Sequence, residues 1–374
     1  MPEAGDREEF GHSLEESDDD GLQVGQIHAG IIAHPLMDDA KETERPMPDT
    51  PSLADIAATA RVVSLPMATR FRGVTVREAL LFEGPQGWSE FSPFAEYDDD
   101  EASVWLRAAI DFAWMPQPAA RRDEIPVNAT VPAVAADEVP VVLARFDGCR
   151  TAKVKVAERG QSLADDVTRV AAVRRALGPE GRVRLDANGG WNVDEAEHAI
   201  RALEPYDLEY VEQPCARVDE LADIRARMHD LDVPIAADES VRKAEDPLAV
   251  ARAGAADILV VKAAPLGGLS RALEVVAAAG LPAVVSSALD TSVGLGMGLA
   301  LAAALPELDY DCGLGTSSLF LADVTAQPLR PEGGVIAVRR VQPDAALLAR
   351  HEASDDRRDW WMSRLARCHA LIAG

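Results

Sequence analysis

Two regimes of hydrophobic patterning follow one another along the chain, after an opening stretch that has little of either. Residues 1–60 show almost no apolar periodicity and carry the run Ser17-Asp18-Asp19-Asp20 together with Pro46, Pro48 and Pro51, which reads as an acidic, mostly disordered extension. From Arg61 short apolar or alternating runs, Val62–Leu65, Val74–Leu81 and Trp88–Phe91, are separated by Gly and Pro, the pattern of a small antiparallel sheet. Glu101–Trp114 then spaces Val104, Leu106, Ala108, Ile110 and Ala113 as an amphipathic helix behind an acidic start that suits the helix dipole. Residues 61–124 therefore read as an α+β module.

From about Ile125 short β-branched runs alternate with alanine-rich helical patterns. The predicted strands are Ala152–Val156, Val183–Asp186, Leu208–Glu212, Ile235–Ala237, Ile258–Lys262, Ala283–Ser286 and Tyr310–Cys312. Helices such as Asp165–Leu177, Asp194–Leu203 and Leu269–Ala279 fall between them. Alternation of this kind builds a parallel sheet, and seven or eight such units favour a closed α/β barrel over 125–328. Residues 329–374 read as a C-terminal segment whose helix, with Arg358-Asp359-Trp360-Trp361, packs its tryptophans back on the first module.

Charge narrows the function classes. The chain has 63 acidic and 37 basic residues for a net charge of −26, and no basic stripe, which argues against a nucleic-acid partner. The apolar stretch Leu22–Leu36 is interrupted by polar residues, Gly and Pro and follows an acidic run, so neither a signal peptide nor a membrane span is expected. Cys149, Cys215, Cys312 and Cys368 have no paired or zinc-type spacing, the usage of a reduced, cytoplasmic protein. Nothing in the pattern sets an oligomeric state; a monomer is compatible with it.

The chemistry lies at the predicted strand ends. Lys155, Asp186, Glu212, Asp238 and Lys262 follow one another at intervals of 31, 26, 26 and 24 residues, about one βα unit each. Groups so spaced sit on one C-terminal rim, where barrel enzymes keep their active sites. Asp186, Glu212 and Asp238 then converge as three carboxylates, a donor set for a hard cation such as Mg²⁺, with Mn²⁺ as a substitute. A lone acid at a strand end is an ordinary surface residue; three in register are not. The chain has five lysines, of which Lys153, Lys155 and Lys262 fall at strand ends. An amine, unlike a guanidinium, can be tuned to take and give a proton. Lys153 and Lys155 are spaced i, i+2, so they share a face and each can lower the pKa of the other. Lys155 and Lys262 face each other across the carboxylates, which points to proton abstraction α to the carboxylate of a small-molecule substrate.

Lys153-Val154-Lys155, Asp186-Ala187-Asn188, Glu212-Gln213-Pro214, Asp238-Glu239-Ser240 and Lys262 resemble, in order and spacing, the enolase superfamily in its muconate-lactonizing branch. The resemblance implies a (β/α)7β modified TIM barrel with an α+β capping domain, over residues from about 61 to 374. Local strings such as Arg70-Phe71-Arg72-Gly73-Val74-Thr75, Gly87-Trp88-Ser89-Glu90-Phe91-Ser92-Pro93-Phe94 and Gly313-Leu314-Gly315-Thr316 are similar to those of actinobacterial o-succinylbenzoate synthases, with Ser89 where glycine is expected. That resemblance implies dehydration of 2-succinyl-6-hydroxy-2,4-cyclohexadiene-1-carboxylate in menaquinone biosynthesis. Lys155 would then be the base, Lys153 its pKa-lowering neighbour and Lys262 the cation that stabilises the enediolate, with Asn188 and Glu239 orienting the ligands. Arg184, Ser286, Ser287, Arg72 and the backbone amides of Gly313 and Leu314 are the expected substrate contacts. A racemase of N-acylamino acids or a dipeptide epimerase uses the same two-lysine geometry, and a non-catalytic barrel scaffold is the reading from another class.

Overall fold

The computed structural model describes residues 50–71, 73–242 and 246–373. Its first sheet is antiparallel, with β1 (Arg61–Phe71), β2 (Val74–Gly84) and β3 (Gly87–Phe91) in that order. Leu80, Leu81, Phe82 and Phe91 are fully buried in it. The helix Asp99–Trp114 begins where the Asp98 carboxylate accepts the Glu101 amide at 2.8 Å, and it buries Trp105, Leu106, Ala109, Ile110 and Phe112.

A short helix, Leu53–Thr59, falls within the stretch expected to be disordered and corrects that expectation for its last residues. Ser52 and Asp55 form a reciprocal capping box, and Ile56 is fully buried. One apolar anchor in seven residues is too little to show as periodicity. The rest of the acidic extension, to residue 49, lies outside the described residues.

Beyond β4 (Glu124–Pro126) run β5 (Ala129–Val131), β6 (Thr151–Lys155), β7 (Arg182–Asp186), β8 (Leu208–Glu212), β9 (Ile235–Ala237), β10 (Ile258–Val261) and β11 (Ala283–Val285). β5 to β11 form a seven-stranded parallel sheet in sequential order. These strands are near-continuous apolar runs because helices cover one face and barrel-core side chains the other. The strand expected at Tyr310–Cys312 is reduced to single parallel bridges, Val127 with Cys312 and Ser286 with Gly313, which close the barrel. The polar groups of Asp311 face other partners: Arg184 Nη1 donates to its carbonyl at 2.6 Å and Thr151 Oγ1 to its carboxylate at 2.5 Å.

β12 (Val335–Ala337) pairs antiparallel with β4. The final helix, Asp355–Ala373, then lies on the antiparallel module. Trp361 is buried with its ring edge-on to Phe91 at 5.8 Å, and its indole N–H donates to Glu78 at 2.9 Å. Among the described residues no helix is long and apolar enough to cross a membrane, and the four cysteines are free thiols.

Candidate active site

Strand register assembles the site. Lys155 on β6 pairs with Asp186 on β7, and Asp186 with Glu212 on β8 after a register shift between Val183 and Arg184 brings the two carboxylates level. Glu212 pairs with Ala236 on β9, so Asp238, two residues on, emerges on the same face. Val261 pairs with Val285, which sets Lys262 level with Ser286. The chain leaves β7 and β8 through left-handed residues, Asn188 (φ +47°) and Gln213 (φ +42°), conformations that non-glycine residues adopt at a cost and that concentrate at functional sites.

Each carboxylate is turned to an ammonium. Lys155 Nζ lies 2.5 Å from Asp186 Oδ2 and 2.8 Å from Asn188 Oδ1. Lys153 Nζ lies 2.9 Å from Glu212 Oε2 and 3.3 Å from Asp186 Oδ2. Lys262 Nζ lies 2.5 Å from Asp238 Oδ2. Asn188 Nδ2 donates to Glu239 Oε1 at 3.2 Å. All three carboxylates are buried.

Burial pushes the Glu212 carboxyl up, to about 8, and Asp186 beside it adds to the shift. For Asp186 burial is outweighed by Lys155 and Lys153, and for Asp238 by Lys262 and Arg242, so both stay well below the usual carboxylate range. Lys153 corrects an expectation. Burial alone would lower its pKa, but Glu212 and Asp186 hold it above the ordinary lysine range, so it is a fixed cation. Burial lowers Lys262 against the pull of Asp238.

The donor set suits a hard divalent cation. Lys153, Lys155, Lys262 and Arg242 face Asp186, Glu212, Asp238 and Glu239, four cations against four carboxylates. In the arrangement shown the carboxylates bond lysines, and no closed group of three His, Cys, Asp or Glu ligands is formed among the described residues.

A cavity opens on this cluster. Lys153, Lys155, Asp186, Asn188, Asp238, Lys262, Ser286, Ser287 and Gly313 line it. Ser287 Oγ bonds the Gly313 carbonyl at 2.8 Å and Thr316 Oγ1 at 2.7 Å. A Cβ on Gly313 would meet Ser286 Oγ at 2.6 Å, so any side chain there would force Ser286 to turn. The Gly313 amide, expected to face substrate, instead donates to the Val285 carbonyl at 2.8 Å. Leu314 is fully buried and is not among the cavity-lining residues.

Arg184 is also corrected. It shares the inward face of β7 with Asp186 but sits one layer deeper, paired with Glu209, donating to Asn128 Oδ1 at 3.1 Å, with its guanidinium 4.8 Å from the Tyr210 ring centre. Arg72 lies outside the described residues. Arg70, two residues before it, lines an adjoining open pocket together with Phe71 and Lys155.

Several groups went unassigned in the sequence. Arg242 lines the cavity and donates from Nε to Asp238 (3.1 Å), from Nη2 to Glu239 (2.7 Å) and from Nη1 to the Tyr97 hydroxyl (3.2 Å). Its spacing i, i+4 from Asp238 was the available signal. Gln213 Oε1 accepts the amides of Asp238 and Ser240, at 3.0 and 3.1 Å, which fixes the turn that presents Asp238. The Phe71 ring lies 5.2 Å from Lys155 Nζ. Trp105 Nε1 and Thr130 Oγ1 are buried in cavity-lining residues and have no hydrogen-bond partner among the described residues.

Residues 62–113 match the enolase N-terminal domain-like family and residues 141–343 the enolase C-terminal domain-like family. The o-succinylbenzoate synthase of Mycolicibacterium smegmatis is 59% identical over 323 residues, covering 86% of this chain and 98% of that protein. The o-succinylbenzoate synthase of Mycobacterium tuberculosis is 56% identical over 327 residues, covering 87% and 98%. The crystal structure of 2-chloromuconate cycloisomerase from Rhodococcus opacus superposes with a TM-score of 0.67 at 23% identity, covering 79% of this chain and 98% of that one, a likeness of fold.

Proposed function

The chain belongs to the enolase superfamily and, within it, to the o-succinylbenzoate synthases, and from that membership we propose how its own residues carry the reaction. It is a carbon–oxygen lyase that dehydrates 2-succinyl-6-hydroxy-2,4-cyclohexadiene-1-carboxylate to o-succinylbenzoate in menaquinone biosynthesis. Superfamily membership implies a divalent metal ion, which we take to be Mg²⁺, with Mn²⁺ as a substitute, held by Asp186, Glu212 and Asp238. Such an ion, when bound, supplies the charge that acidifies the α-proton of a carboxylate.

Lys155 removes the proton from C1, and the electron pair of that C–H bond moves into the carboxylate as an enediolate. The Lys262 ammonium stabilises the negative charge from the other side of the cavity. Lys155, now protonated, gives its proton to the hydroxyl on C6. The C6–O bond breaks as the C1–C6 double bond forms, water leaves, the ring becomes aromatic and Lys155 is neutral again. One group serves as base and acid, so the elimination is syn. Lys153, bonded to Glu212, is a fixed cation beside Lys155 that holds the Glu212 carboxylate in place. Asn188 and Glu239 link Lys155 to Arg242 and orient it.

One observation carries this assignment: Lys155 and Lys262 line one cavity from β6 and from the end of β10, with the three carboxylates on the strands between them. The test is Lys155→Ala, assayed for aromatisation and for Mg²⁺ affinity by calorimetry. Loss of turnover with metal binding retained is expected; normal turnover refutes the role of Lys155.

A further inference from the structure

Behind the substrate cavity, where the antiparallel module meets the barrel, lies a buried charged cluster that the reaction does not use. Arg77, on β2, is 4% exposed. Its Nε donates to the Leu289 carbonyl at 3.1 Å, and its Nη2 donates to the Ser92 carbonyl and, at 3.4 Å, to that of Ala288. Its guanidinium carbon lies 4.6 Å from the centre of the Phe94 ring. Phe94, Ala288 and Leu289 all line the substrate cavity. One guanidinium thus holds two cavity walls that come from different domains, the loop after β3 and the segment after β11.

Glu90, on β3, grips the same segment further along. Its carboxylate accepts from Thr291 N (3.1 Å), Thr291 Oγ1 (2.6 Å), Gly294 N (3.1 Å) and Ser92 Oγ (2.6 Å). A Cβ on Gly294 would lie 2.7 Å from Glu90 Oε2, so the carboxylate reaches the helix Ser292–Ala304 only over glycine. Between these two grips sits Leu289, buried and in the left-handed region at φ +61°. A non-glycine residue persists there when its surroundings over-determine it, and the hold of Arg77 on the Leu289 carbonyl is such a constraint.

We propose that Arg77, braced by Glu90, is a positioning residue that sets substrate fit by holding the Ser286–Leu289 segment and the Phe94 loop in register across the domain joint. Lysine cannot replace it, because one ammonium does not span three carbonyls in a fixed plane. The choice of substrate in the test rests on the o-succinylbenzoate synthase reading.

The experiment compares wild type, Arg77→Lys and Arg77→Met by melting temperature, by kcat and KM on the cyclohexadiene carboxylate, and by hydrogen–deuterium exchange of residues 92–97 and 286–291. Expected are a KM raised about ten- to a hundredfold with kcat within about threefold, and faster exchange of both segments together, in both variants. Unchanged KM in a folded variant overturns the proposal, as does a fall in kcat alone. If Arg77→Met does not fold, Arg77→Lys carries the test by the same readouts. If wild type does not turn over this substrate, the substrate reading fails, and the exchange of the two segments still decides the role of Arg77.

Discussion

Replacing Lys262 by methionine separates electrostatic stabilisation of the transition state from structural support. The ammonium lies 2.5 Å from Asp238, yet Asp238 also accepts from Arg242 Nε at 3.1 Å, so the variant does not leave an orphaned buried charge. The stability cost should be about 1–2 kcal/mol, well under the roughly 3–5 kcal/mol of a broken buried pair. For catalysis, a unit charge about 4 Å from the developing enediolate is worth about 4 kcal/mol at an effective dielectric of about 20. That corresponds to a fall of about a thousandfold in kcat. Urea unfolding of the metal-free protein gives the first quantity and ultraviolet-monitored aromatisation of the Mg²⁺-loaded enzyme gives the second. A folded variant whose kcat stays within about tenfold of wild type would show that the reaction needs no cation opposite Lys155.

Lys153→Met should destabilise the metal-free protein by about 3–5 kcal/mol in urea titrations, because Lys153 is the ammonium that bonds Glu212, whereas Lys155→Met should cost less, because Asp186 keeps Lys153 at 3.3 Å. Burial, with Asp290 nearby, raises the Glu90 pKa to about 7, so its stabilising contribution is full at low pH and is lost as pH rises through 7. Glu90 should account for a fall of up to about 3 kcal/mol in stability between pH 4.5 and 8, and Glu90→Gln should remove that share of the wild-type slope in thermal melts across this range. Trp105→Phe keeps the buried ring but removes its unpartnered N–H, and should weaken o-succinylbenzoate binding about fivefold in equilibrium titration.

The parts of the site that repeat with the βα unit were legible in the sequence. Asp186, Glu212 and Lys155 each end a strand, Asp238 and Lys262 lie just past one, and the interval between them matches the unit, so their common rim could be counted out. Depth was not legible. A period of two places Arg184 and Asp186 on one face without saying that Arg184 lies a layer lower, against Glu209 and Tyr210. Backbone demand was equally hidden: the Gly313 amide closes the barrel on Val285 and is not offered to a ligand. Trp105 reaches the cavity, and Arg77 and Glu90 the segments that wall it, from the first module, at sequence distances for which no local spacing gives a signal. The helix Leu53–Thr59 was missed because its order comes from one buried isoleucine and a capping box.

The most direct test of the account is ultraviolet-monitored turnover of 2-succinyl-6-hydroxy-2,4-cyclohexadiene-1-carboxylate by the whole chain, with Mg²⁺ and with chelator, beside α-proton exchange of an N-succinylamino acid in deuterated water. Saturable, metal-dependent aromatisation without exchange is the predicted result. Exchange without aromatisation would contradict it and make Lys155 and Lys262 two opposed bases.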